Sequence, residues 1–334
     1  MRLVSLFVAF VCGAQLAGCA GTQQSGLPAT LAPFAPNGAP NEVVRQIRKH
    51  AQPENPIVGV YVSEHNSQES SSTILEYQYT GKGAPLCSLN LSPDSYLNSI
   101  QSDSKNELIV PNGNPWVYIY KESKQLCLSS IPAKQFVLNG DDAIDGFSLD
   151  GKTYYIAAPS RIYVCKGSNP SCKHYVTNAD IGTVAAVTAD ASGVYASTSG
   201  SLPNSAALWY WKGASGSGAL LSGYVNKGPG GLYFDGFGNL LSIDSAGNGA
   251  GPVLYVYSGC PTACKAHGPF GLGFYDKITY GSLGNGETTF MALNQNGSID
   301  VYRYDGIYGI TFLSSNGTGL SPSAGPIGIA QLLN

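Results

Sequence analysis

A short alternating aromatic segment returns six times along the chain at almost constant spacing. It reads Ile74-Leu-Glu-Tyr-Gln-Tyr79, Trp116-Val-Tyr-Ile-Tyr120, Arg161-Ile-Tyr-Val-Cys165, Leu208-Trp-Tyr-Trp211, Val253-Leu-Tyr-Val-Tyr257 and Ile299-Asp-Val-Tyr302. From Tyr79 to Tyr120, Cys165, Trp211, Tyr257 and Tyr302 the steps are 41, 45, 46, 46 and 45 residues. Unrelated loops do not hold such a register. A repeat of this length means that each unit is one supersecondary element, which buries its apolar faces against its neighbours.

Each unit resolves into four short strands separated by turn residues. In the fifth, Gly231 to Asp235 is a first strand and Gly236 to Asn239 a turn. Leu240 to Ile243 is a second strand, Val253 to Tyr257 a third, and a fourth begins near Cys264. The fourth unit repeats this with Val184 to Thr188, Gly193 to Ser197, Leu208 to Trp211 and Ala219 to Tyr224. The sixth gives Ile278 to Gly281, Thr289 to Leu293, Ser298 to Tyr304 and Gly309 to Leu313. The first unit lacks its first strand, because Val58-Gly-Val-Tyr-Val62 matches a second strand. Gly325-Pro-Ile-Gly-Ile-Ala330, at the far end, has the look of the missing piece. Pairing the two termini would close a ring and remove the open sheet edge that invites aggregation. The expected fold is therefore all-β: a six-bladed β-propeller over residues 57–334, closed by N- and C-terminal strands.

Ahead of it, residues 1–18 (MRLVSLFVAFVCGAQLAG) carry a basic residue, Arg2, then an apolar stretch from Leu3 to Val11, then small residues. This is the layout of a signal peptide. Leu16-Ala17-Gly18-Cys19 resembles the lipobox of bacterial lipoproteins, in which the Cys thiol is joined to diacylglycerol and cleavage leaves Cys as the first residue. The resemblance assigns lipid attachment to Cys19. An ordinary secretory cleavage and an uncleaved anchor are the alternatives. The residue after the Cys is Ala20 rather than the Asp that tends to retain Gram-negative lipoproteins at the inner membrane. That implies the outer membrane in a Gram-negative envelope. Residues 19–56, rich in Ala, Gly, Pro, Gln and Asn, cannot bury a core and read as a tether, with a possible short helix from Asn41 to His50.

The repeat resembles that of NHL-type and related bacterial propeller lipoproteins, whose blades carry a D-x-x-G-N-L-Y-V…V-Y-V-Y signature. The fifth blade alone, with Asp235-Gly-Phe-Gly-Asn-Leu240, keeps that turn intact. The resemblance spans about 280 residues and implies the fold.

Charged residues are 12% of the chain and the formal net charge is −3, with no basic cluster beyond Arg45, Arg48 and Lys49. Nothing here could neutralise a run of phosphates, so nucleic acid is not an expected partner. Of eight cysteines, Cys12 and Cys19 lie in the leader. Cys165 with Cys172, and Cys260 with Cys264, are close pairs suited to disulfides in an oxidising compartment, where a third strand hands over to a fourth. Zinc would need both pairs to converge, and they lie about ninety residues apart without His at ligand spacing. Cys87 and Cys127 fall at the same blade position as Cys172 and Cys264. On neighbouring outer strands they are expected to stand apart, unpaired.

Asp103, Asp150, Asp190 and Asp235 recur after first strands. A ring of carboxylates is one reading; Asp setting its own turn is the favoured one. Asp141, Asp142 and Asp145, just before the first strand of the third blade, form the best acidic cluster. His65, in the loop Glu64-His-Asn-Ser-Gln-Glu69, is the one histidine expected near the ring entrance, although so polar a loop suits plain surface. These four are the candidate ligand-binding residues. No catalytic residue, metal site or cofactor is assigned: G-x-S-x-G, H-E-x-x-H and phosphate-loop motifs are absent from the sequence.

The favoured expectation is a monomeric, lipid-anchored binding or scaffold module of the cell envelope, presenting a rigid ring face to a protein, peptide or glycan. The rival is a metal-dependent propeller enzyme of the lactonase or lyase kind. That would need several carboxylates or histidines projecting into one channel, and first strands here offer mainly Ser, Thr, Gly, Tyr and aliphatic residues. A purely structural envelope protein is the third possibility.

Overall fold

The apolar runs of the second and third strands arise because these strands are buried on both faces. In a strand successive side chains point to opposite sides, so an apolar residue at every position serves two neighbours at once. The computed structural model describes residues 57–333 except 67–70, 79–82, 92–96, 98, 104, 106, 122–127, 168–170, 200–205, 246–250, 274–280, 284–288, 295–296, 317–319 and 321–325. The expected leader, Cys19 and the tether lie outside the described residues.

The strands fall into six four-stranded antiparallel sheets. Blade 1 holds β1 (Ile57–Asn66), β2 (Ser71–Gln78) and β3 (Cys87–Asn90). Blade 2 holds β4 (Gln101–Ser102), β5 (Glu107–Pro111), β6 (Trp116–Lys121) and β7 (Lys134–Val137). Blade 3 is β8 (Asp145–Ser148), β9 (Thr153–Ala158), β10 (Arg161–Lys166) and β11 (Ser171–Val176), and blade 4 is β12 (Thr183–Ala189), β13 (Gly193–Ser199), β14 (Ala206–Lys212) and β15 (Ala219–Leu220). Blade 5 is β16 (Pro229–Phe234), β17 (Leu240–Asp244), β18 (Val253–Ser258) and β19 (Lys265–Gly271), and blade 6 is β20 (Gly281–Leu283), β21 (Thr289–Asn294), β22 (Ser298–Tyr304) and β23 (Ile310–Asn316). The last strand, β24 (Pro326–Leu333), completes blade 1 in the order β24-β1-β2-β3. Its register sets Val60 opposite Gln331, Tyr61 opposite Ala330 and Val62 opposite Ile329. The closure expected between Val58–Val62 and the C-terminal segment is thus present. In blade 6 the first strand is described over Gly281–Leu283, and residues 278–280 of the expected strand lie outside the described residues. Among the described residues the one helical element is a 3-10 turn, Gly306–Tyr308, between β22 and β23.

The core is divided as a ring requires. Six apolar clusters occur among the described residues, each lying between two consecutive blades. Val60, Val62 and Ile329 pack with Met291 and Val301 at the junction of blades 6 and 1. The intervening Tyr61 turns the other way and joins Leu108 and Val110 at the junction of blades 1 and 2. Likewise Leu254 and Val256 serve the junction of blades 5 and 6, and Tyr257 the junction of 4 and 5. Each fully buried aliphatic side chain contributes about 1.5–3 kcal/mol, so both faces of every blade are held by many such residues.

Turn chemistry explains the recurring aspartates. Asp103, Asp150, Asp190 and Asp235 each accept two backbone N–H bonds on Oδ1 from residues two to four positions later, at 2.7–3.1 Å. They fix the turn between first and second strands. In the fifth blade Gly238 takes a φ of +80°, which a side chain would resist.

Candidate functional site

Ser99 and Gln101 from blade 2, Asp145 from blade 3, Ala186 from blade 4 and Gly231 and Tyr233 from blade 5 surround a gap that does not admit a water molecule. Asp145 sits there 1% exposed. Its carboxylate accepts hydrogen bonds from the Ser99 hydroxyl, from Gln101 Nε2 at 3.0 Å to both oxygens, and from the Val187 backbone N–H at 2.9 Å. One acid therefore ties three blades together. Burial pushes its pKa up against these hydrogen bonds.

The expected acidic cluster is consequently split. Asp145 is the first residue of β8 and faces inward. Asp142 is exposed, in the loop before that strand. Asp141 accepts a hydrogen bond from the Tyr163 hydroxyl and an ion pair from Arg161 Nε at 3.1 Å, both on Oδ2. The three acids do not converge on a ligand because the strand begins between them and turns Asp145 to the axis. Among the described residues, no group of three His, Cys, Asp or Glu is arranged to hold a metal ion.

His65 also departs from expectation. It lies within β1, opposite Ser72 in the β1–β2 hairpin, with Nδ1 3.2 Å from Ser72 Oγ. The hairpin ladder runs on to Asn66 and Ser71, so Glu64, His65 and Asn66 belong to the strand, and the rest of the expected loop, 67–69, lies outside the described residues. His174 and His267 do lie on outer strands, β11 and β19, bonded to Ala214 O and Ser258 Oγ.

Disulfides join Cys165 to Cys172 and Cys260 to Cys264, at the passage from third to fourth strand in blades 3 and 5. Cys87, expected to be unpaired, is disulfide-bonded, with a partner outside the described residues. It is the first residue of β3, the outermost strand of blade 1, as expected; the correction concerns its pairing alone.

A second buried acid, Glu107, lies between blades 2 and 3. It receives the Tyr154 hydroxyl at 2.6 Å and pairs with Lys134 at 3.2 Å and Lys121 at 3.3 Å. Burial works to raise its pKa, but the Tyr154 and Lys134 bonds with the Lys134 charge outweigh it and hold the carboxyl low.

Among the described residues an open groove of about 770 Å³ lies on the outer side, between blades 2 and 3. That is within the range of about 300–1,000 Å³ typical of small-molecule sites. Its floor is Pro115, Leu138, Tyr163 and Cys172, and its upper wall is Val137 and Tyr175. Leu138, Tyr163 and Cys172 belong to the apolar cluster of that junction, so the groove opens directly onto the core. Tyr163 stands edge-on to Tyr175 with centroids 5.9 Å apart, and the Arg161 guanidinium lies 4.6 Å over the Tyr175 ring. Burial and the Asp141 bond push the Tyr163 phenol up to about 12, so it remains a donor. Sequence reasoning selected Asp141 but missed Tyr163, Arg161, Tyr175 and Lys173. They come in pairs from two strands, Arg161 and Tyr163 from β10 and Lys173 and Tyr175 from β11, and the local hint was the aromatic-basic pattern of β10.

The chain matches no protein-family model and no curated protein. Among solved structures it is similar to the β-propeller domain of Cps50 (Swd1) from Myceliophteria thermophila, at 8% identity and a TM-score of 0.50, covering 81% of this chain and 88% of that one. Hsv2 of Kluyvelomyces marxianus gives 11% identity and a TM-score of 0.45, over 80% and 83% of the two chains. The protein is a six-bladed β-propeller. At this level of identity the likeness speaks to the fold alone.

Proposed function

We propose that the propeller is a non-catalytic binding module, held at the cell envelope by a lipid on Cys19, that engages a protein, peptide or glycan through the side groove between blades 2 and 3. One contrast carries the reading: among the described residues the inner strands of blades 2 to 5 close on a gap too small for water, with Asp145 committed to three blades, whereas the groove is open and walled by side chains already held in place. Pre-set side chains lose little freedom on binding, which favours recognition. The Leu16-Ala17-Gly18-Cys19 sequence supports the anchor, and Ala20 supports the outer membrane in a Gram-negative envelope. A photo-crosslinking residue placed at 175, in bacteria expressing the full chain, is expected to capture a discrete envelope component that the same residue at exposed Phe237 does not. Equal capture at both positions, or none at 175, would remove the groove from the account. Fatty-acid labelling is expected for the natural chain and not for Cys19→Ala; equal labelling would remove the anchor.

A further inference from the structure

The groove's chemistry is more selective than its size. Lys173 is the one charged side chain among its described lining residues, and no acid is among them. The Lys173 side chain is exposed, and no ion pair to it occurs among the described residues. Beside it Tyr175 remains 43% exposed even with Arg161 over its ring. Asn139, also exposed, adds an amide that both donates and accepts. Just beyond, on the strand paired with Val137, Trp116 is 40% exposed. A positive charge and a stacking surface from β11 and an amide from blade 2 thus line one groove.

The groove lies between β7 and β11, the outer strands of blades 2 and 3, so a peptide that adds a strand to either edge is the competing occupant, and oligoglutamate tests it below. The groove suits a ring that packs its apolar face on an aromatic side chain while its substituents reach polar groups. The positive lining selects a ring that bears a carboxylate. Resting on the binding-module reading above, we infer that the groove takes an acidic sugar chain, with a uronate carboxylate at Lys173 and a pyranose face on Tyr175. Asp141 is then a positioning residue: it fixes Tyr163 and Arg161, and through Arg161 the Tyr175 ring.

The test titrates the full chain with oligogalacturonate, with its methyl ester, which keeps the ring and removes the charge, and with oligoglutamate, which keeps the charge and removes the ring. Binding is read by calorimetry. Saturable binding of oligogalacturonate is expected, at least tenfold tighter than of either comparison ligand. Lys173→Met is expected to abolish the preference for acid over ester. Tyr175→Ala is expected to weaken both sugars at least tenfold. Both side chains are exposed, so an unchanged melting temperature will confirm that the variants fold. No saturable binding of oligogalacturonate, equal binding of the ester, equal binding of oligoglutamate, or indifference to both substitutions would each overturn the inference. If these fail while crosslinking at position 175 still captures a discrete protein, the binding-module reading survives and the sugar does not.

Discussion

Replacing Asp145 should destabilise the ring in a way that depends on pH with a definite sign. In Asp145→Ala, Gln101 Nε2 and Val187 N lose the acceptor they share, whereas the Ser99 hydroxyl still reaches Ile144 O at 3.3 Å. Two buried donors without partners cost about 1–3 kcal/mol each. Relief from desolvating a buried carboxylate offsets part of this, leaving a net loss of about 2–4 kcal/mol. Asp145→Asn keeps the shape and one acceptor oxygen, so its loss should be about 1 kcal/mol. The sign follows from burial, which raises the folded-state pKa above the unfolded value of about 3.9. The folded protein then holds the proton where the unfolded chain has released it. Stability from this group is complete below the unfolded pKa and is lost as the pH rises through the folded one. Denaturant unfolding of the natural chain and Asp145→Asn, from pH 3 to 8, should show the natural chain's advantage shrinking as pH rises. An advantage that grows with pH, or an Asp145→Ala chain as stable as the natural one, would refute the placement of this carboxylate in a sealed gap between blades.

Glu107 should behave in the opposite sense: its lowered pKa means stability that is present above the unfolded value of about 4.3 and is lost as pH falls through the folded one. Glu107→Gln, which leaves the partly buried Lys134 unpaired, should cost about 2–4 kcal/mol at neutral pH and much less in acid, read by the same unfolding series. Gly328→Val should fold poorly, since even a Cβ there would stand 2.6 Å from Ile100 N and 2.7 Å from Ser63 Oγ. A loss of at least about 2 kcal/mol in thermal unfolding is expected. Removing the Cys165–Cys172 disulfide by Cys165→Ser with Cys172→Ser frees a loop with a separation of 7 residues, for an expected loss of about 2.5 kcal/mol by denaturant midpoint.

The blades were legible because double-sided burial writes an apolar residue at nearly every strand position, and six copies keep the period. The terminal strand was legible for the same reason, since Gly328, Ile329 and Ala330 meet the constraints of an inner strand: small where it crowds blade 2 and apolar where it faces the core. The turn aspartates were read correctly because their chemistry is local. The acids at 141, 142 and 145 were not, because nearness in sequence says nothing about which side of a strand start each one takes. Nor was His65, whose polar neighbours resemble a loop until Ser72 is placed across the ladder. The groove was the least legible feature of all. It joins residues 115 to 175 from two blades, and its walls exist only after the blades pack.

Ring closure by the two terminal strands is the claim on which the architecture rests. Amide hydrogen exchange tests it without altering the molecule. The account predicts that Ile329, Ala330 and Gln331 exchange as slowly as Val60, Tyr61 and Val62, and only through global unfolding. Exchange of residues 328–331 at the rate of a free chain terminus, with Val60–Val62 still protected, would contradict it.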